Sequence, residues 1–157
     1  MKYPYSSEQI HQILSAPKHL PEGTSLDLEK TGKAGIGRYF ESRPQLSEGG
    51  FVDMRFLGKA PLLDNPHTYD AAFLLANHRV RGMGFTPIAR HNLRFKKRIE
   101  QGWHLNVCDP NMPTTHPESN IHKPLPNFEV SDFLDFIEKA AHLWRIDLGT
   151  LPKGSLL

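Results

Sequence analysis

The sequence predicts an α+β domain: an antiparallel meander of about five strands, with a short N-terminal helix and a C-terminal amphipathic helix packed on one face. Three observations carry this. Between residues 49 and 108, apolar and polar residues alternate in short runs separated by turn residues, the period of a half-buried strand. After residue 130 the period changes to that of a helix. Strands follow one another without intervening helices, so the βαβ alternation of a parallel sheet is absent.

The helix at the end has the clearest signal. Phe133, Phe136, Ile137, Ala140, Ala141 and Trp144 follow the spacing i, i+3, i+4, i+7, i+8, i+11. Ser131 is placed to cap it, Asp132 and Asp135 suit the positive end of its dipole, and Gly149 can terminate it. A helix is expected over 131–148. A first, shorter helix is expected from Ser6 to Ala16, capped by Ser6 or Ser7 and ended by Pro17.

The strands fall between. Gly49–Leu57 alternates Val52, Met54 and Phe56 with Asp53 and Arg55. Tyr69–Ala76 is more continuously apolar and so more central. Asn77-His78 reads as a tight turn into Arg79–Phe85, where Gly82 and Gly84 signal a bulge or a close backbone approach. Leu93–Ile99 is a fourth strand with a basic face, and Trp103–Cys108 a fifth, with Trp103, Leu105 and Val107 opposite His104, Asn106 and Cys108. The 157 residues then divide as one domain: 1–48 the first helix and an irregular connection, 49–108 the sheet, 109–130 a loop, 131–148 the closing helix. Local turns are expected around Ile36–Phe40, and since thirty residues of pure loop are unusual in a compact domain, a short helix or strand that the pattern does not place is expected within 17–48.

Composition narrows the class. There is one cysteine, Cys108, which fits a reducing compartment. No signal-peptide h-region stands at the N-terminus, and the apolar runs are too short for a bilayer. The expectation is a cytoplasmic protein with no membrane association. The net charge of +2 hides an asymmetry: seven basic residues and no acid between Arg79 and Arg98. Such a block attracts a polyanion or an acidic protein, or simply keeps a sheet edge solvated.

Common sites lack their parts. Gly32-Lys33-Ala34 has the lysine of a phosphate loop without its hydroxyl residue. There is no GxSxG before a helix and no CxxC pair. His104 and Cys108, four apart on one strand and so on one face, would make three ligands with His116 or His122, but the spacing matches no established zinc motif. No metal and no other cofactor is called for. The nine histidines instead suit acid–base work near neutral pH. Metal-free cleavage of RNA needs one group to accept the 2′-hydroxyl proton, one to protonate the leaving oxygen, and cations for the phosphorane. His104 is assigned as base and His122 as acid. Arg79, Arg81, Arg94, Lys96 and Arg98 are the nucleic-acid-binding candidates, with Arg94 and Arg98 assigned as phosphate ligands; if the fourth and fifth strands pair through Gln101-Gly102, Arg94, Lys96 or Arg98 sits near His104, and register decides which.

The order of these features, a meander, the basic return Arg79-Val80-Arg81, the late strand Gly102-Trp103-His104-Leu105, the loop Asn120-Ile121-His122-Lys123-Pro124-Leu125-Pro126 and a final helix, resembles the small toxins of TumE-type toxin–antitoxin pairs over residues 50–145. The resemblance implies an RNA- or growth-directed toxin with a cognate antitoxin. One departure is plain: such toxins carry a close histidine pair in the late strand, where here His104 stands alone. Two functions remain in view. One is a small RNA-acting protein, a metal-independent ribonuclease toxin. The other is a non-catalytic binding or inhibitor protein from a phage or mobile element, whose basic sheet face meets an acidic partner.

Overall fold

A computed structural model of the protein describes residues 4–22, 29–30, 37–61, 68–92, 97–108 and 120–149. The chain is α+β, as the patterning predicts. Two helices, α1 (Ser7–Ser15) and α2 (Phe133–Leu143), lie on one face of a seven-stranded sheet. The sheet contains β2 (Glu29–Lys30), β3 (Gly37–Ser42), β5 (Met54–Pro61), β6 (Asp70–Leu75), β7 (His78–Thr86), β10 (Gly102–Cys108) and β11 (Asn120–Pro124). Their order is β11-β10-β7-β6-β5-β3-β2, and every neighbouring pair is antiparallel. A small second sheet joins β1 (Lys18–His19), β4 (Gln45–Leu46) and β12 (Ile146–Asp147), with β1 and β12 parallel.

The meander β5-β6-β7-β10 matches the expected one in order, and β6 is the central strand. Two of the expected strands need correction. The first strand begins at Met54, not Gly49, because Gly49 takes a left-handed φ of 102° and the chain is still a loop there. The connection 17–48 does hold a short element of the kind expected but not placed, β3, which pairs with β5. The expected fourth strand is not in the sheet. Its described part, β9 (Lys97–Ile99), pairs only with β8 (Arg90–Asn92) in a separate ribbon, and 93–96 lies outside the described residues. The hairpin between β6 and β7 turns at Ala76 and Asn77, both left-handed (φ 46° and 66°), one residue earlier than Asn77-His78.

Helix ends are set by side chains. Ser6 caps α1 in a reciprocal box: its hydroxyl accepts from Gln9 N at 3.2 Å, and the Gln9 side chain accepts from Ser6 N at 2.8 Å. In α2 the cap is Asp132 rather than Ser131. Its carboxylate accepts from Asp135 N at 2.7 Å, while Ser131 N donates to the Asp135 carboxylate, which holds that carboxyl below its ordinary value. The helix stops at Leu143, earlier than residue 148, because Arg145 turns left-handed (φ 58°) and leads into β12.

The core lies between the helices and β5, β6 and β7. Phe56, Phe73, Phe136 and Ile137 are wholly buried, and Trp144 and Tyr69 nearly so. Trp144 meets Phe56 edge-on at 5.8 Å between centroids, and Tyr69 meets Phe133 at 5.1 Å. Each such side chain contributes roughly 2–3 kcal/mol by burial. At one end of this core sits a buried lysine. Lys18 Nζ donates to Leu14 O at 3.1 Å, Ala16 O at 2.7 Å and Trp144 O at 2.8 Å. These carbonyls close the C-terminal ends of both helices, which otherwise have no intrahelical donor.

Burial, and then the nearby Arg145, lower the Lys18 pKa from its ordinary 10.5 to about 8. Below pH 8 both folded and unfolded chains hold this proton. Between about 8 and 10.5 the unfolded chain holds it and the folded chain has lost it. Unfolding then takes up a proton, so the contribution of this residue makes the protein more stable as pH rises through that window. Replacing Lys18 with Met leaves three carbonyls without their donor. It should cost about 2–4 kcal/mol at neutral pH and remove this rise, measured as urea unfolding free energy against pH. A variant whose stability keeps the wild-type pH slope would refute the assignment.

Candidate functional site

Both helices cover one face of the sheet, so the other face carries the remaining side chains. Strand register arranges them in transverse rows. One row runs Lys59, Asp70, Gly84, His104 and Pro124 across β5, β6, β7, β10 and β11. The next runs Leu57, Ala72, Gly82, Asn106 and His122. The centre of each row is therefore a glycine. With no Cβ on β7 at these two positions, the neighbouring side chains lean inward over a shallow trough floored by backbone. A Cβ on Gly84 would lie 3.5 Å from Asp70 Oδ1 on one side and 3.5 Å from His104 Cε1 and Nε2 on the other. A Cβ on Gly82 would lie 2.2 Å from Arg79 Nη2, so the Arg79 guanidinium occupies that space. The glycines in this strand thus mark a close approach, as the sequence predicts, and the register also shifts at Phe73/Leu74, opposite Arg81 and Arg79.

His104 and His122 come together. β11 pairs with β10 so that His122 lies beside Asn106, one row from His104. The two imidazoles stack with centroids 3.9 Å apart and planes 28° apart. His104 Nδ1 is held by Thr86 Oγ1 at 3.1 Å, and the Thr86 side chain is buried. This bond turns the Cε1–Nε2 edge of the ring toward the trough. Residues 109–130 are expected as loop, yet Asn120–Pro124 is a strand, and that strand delivers His122.

Across the trough, Arg79 and Asp70 form an ion pair at 3.2 Å. Burial pushes the Asp70 carboxyl above its ordinary 3.8, against the opposing pull of Arg79 and Lys59. Lys59, also exposed, lies beside Asp70 in the row. Sequence reasoning misses Lys59, Asp70, Thr86 and Asn106. The signal that could have found them is Asp70 itself, a lone acid opening the most apolar strand of the chain.

The cationic candidates separate. Arg79 is at the trough. Arg81, two residues on, faces the helices and contacts Cys108. Arg98 stands in the β8–β9 ribbon and pairs with Glu100 at 2.6 Å, so it is not brought to His104 through Gln101-Gly102. Arg94 and Lys96 lie outside the described residues. Cys108 is not on the His104 face either. Cys108, the last residue of β10, lines a cavity on the helix side with Ile10, Arg81 and Val107. The three-ligand set of His104, Cys108 and His122 is therefore not assembled. Among the described residues no three His, Cys, Asp or Glu side chains gather as metal ligands, and His116 lies outside them. Among the same residues no helix is long and apolar enough to cross a membrane.

Gly82 tests how the trough is filled. In Gly82→Ala the new methyl must displace the Arg79 guanidinium, the far end of a flexible side chain, so the fold should hold to within about 1 kcal/mol. The ion pair with Asp70 should break, and Asp70 should titrate higher still, as followed by carboxyl carbon shifts in NMR. An unchanged Asp70 titration would refute this placement. Comparisons with protein-family models, with curated proteins and with solved structures find no match to this chain.

Proposed function

We propose that the helix-free face of the sheet acts on RNA, and that His104 and His122 cleave it without a metal ion. The observation carrying this reading is the stacked pair itself: two histidines 18 residues apart, on different strands, held ring to ring on the face that also carries the Arg79 guanidinium. One proton donor and one acceptor in contact is the state that cleavage of a ribose phosphodiester requires.

In this mechanism His104 Nδ1–H donates to Thr86 Oγ1, which leaves Nε2 as the base facing the trough. Nε2 takes the proton of the 2′-hydroxyl. The 2′-oxygen attacks phosphorus, the bond to the 5′-oxygen breaks, and His122 protonates that leaving oxygen. The products are a 2′,3′-cyclic phosphate and a 5′-hydroxyl. Arg79 and Lys59 supply positive charge to the phosphorane from across the trough, with Asp70 orienting the Arg79 guanidinium. The resemblance to TumE-type toxins is consistent with this activity and adds an antitoxin as the partner. The β8–β9 ribbon, with its basic residues outside the sheet, favours a second reading: a binder without chemistry that offers this ribbon to an acidic protein.

Purified protein should cleave single-stranded RNA in EDTA at low salt, where phosphate contacts are strongest. His104→Ala and His122→Ala should each lower kcat/KM at least about 100-fold, with unchanged thermal unfolding. The wild-type rate should peak in pH and lose one limb in each variant. Bound RNA left intact by the wild type, or cleavage equal in both variants, would sink the catalytic reading.

A further inference from the structure

The helix-side face holds a different feature. Where α1 crosses β7 and β10, a cavity of about 500 Å³ opens, lined by Ile10, His11, Arg81, Val107 and Cys108 among others. A second cavity of about 250 Å³ continues toward α2 past Leu14 and Leu105, and the two share His11 and Arg81. Both volumes lie at or near the range of small-molecule sites.

Arg81 stands at the junction. Its Nη1 donates to Val80 O at 2.8 Å, and the guanidinium also bonds the Cys108 thiol. Among the described residues no carboxylate pairs with it. Burial acts against its charge and pulls its pKa below the ordinary value. A half-buried cation without a counter-charge is unfavourable, and a guanidinium has five N–H donors, more than these two bonds use. An anion seated in the cavity would supply the missing charge in a bidentate geometry. Aliphatic side chains share the walls with polar ones: Ile10 and Val107 with Ser7 and Glu8 in the larger cavity, Leu14 and Leu105 with Ser15 and Arg145 in the smaller. They suit an apolar body behind a charged head. Glu8, exposed at the rim, opposes an anion and so limits its affinity.

We propose that this groove binds a small aliphatic carboxylate, its head on Arg81 and its chain along Leu14 and Leu105. The site lies on the opposite face from His104 and does not depend on RNA cleavage. The test is an NMR titration of the full chain with sodium hexanoate, hexanol and inorganic phosphate at constant ionic strength. Hexanoate should give saturable shifts of the Leu105 and Val107 amides. Hexanol and phosphate should each bind at least tenfold more weakly, the first lacking the charge and the second the chain. Arg81→Gln should weaken hexanoate at least tenfold, and Glu8→Gln should tighten it. The proposal is overturned if hexanoate gives no saturable shift, if either control ligand binds as well, or if Arg81→Gln binds like wild type. Should Arg81→Gln fail to fold, Glu8→Gln and the three-ligand comparison decide the matter, and an unchanged affinity in Glu8→Gln then counts against it.

Discussion

One buried ammonium organises this molecule. Lys18 gathers the last carbonyls of α1 and the cap carbonyl of α2. Lys18 itself opens β1, the strand that ties β12 to β4. Helix C-termini repel one another through their dipoles, and a cation shared between them removes that conflict. Both helices can therefore lie on the same face, with Trp144 wedged against Phe56 and Phe73 beneath them. The distribution of function follows. A sheet sealed on one side by two joined helices leaves its other side to the side chains that helices do not need.

That other side is built by register more than by shape. A strand with period 2 shows only every second residue to a given face. Antiparallel pairing then decides which residues share a row. Gly82 and Gly84 fall in the rows of Asn106 and His104, so the histidine side and the Asp70–Arg79 side meet across a floor without side chains. A one-residue slip of β11 would send His122 to the helix side and leave His104 unstacked. The site is the product of three strand pairings, each ordinary in itself.

How far this was legible in the sequence follows from range. The α2 stripe is local, so the spacing of Phe133 to Trp144 was enough to find the helix. The end of that helix was not, because Arg145 turns left-handed where β12 pairs with β1 and Lys18 N bonds Arg145 O, partners more than a hundred residues away. The core strands β5, β6 and β7 announced themselves by alternation. β3 and β11 did not, since they are short, rich in polar residues and defined by what they pair with. The basic run after Arg79 was visible as composition, but composition does not say which face or which sheet a residue joins. Hence Arg79 reached the trough, Arg81 the helix side and Arg98 a separate ribbon. His104 and His122 were named on chemical grounds, and the strand that brings them together was not foreseen.

The stack also ties the site to the periphery of the sheet. His122 rides on β11, the terminal strand of the sheet order, which has β10 as its sheet neighbour. Edge strands open and close far more often than the central strands beside them. The histidine pair is thus assembled by the docking of a single outer strand, while β5, β6 and β7 stay folded beneath it. Amide exchange of Ile121 to Lys123 would then measure how often the pair exists, on a timescale separate from global unfolding. Any molecule that grips β11 from its outer edge would regulate the pair without touching either ring.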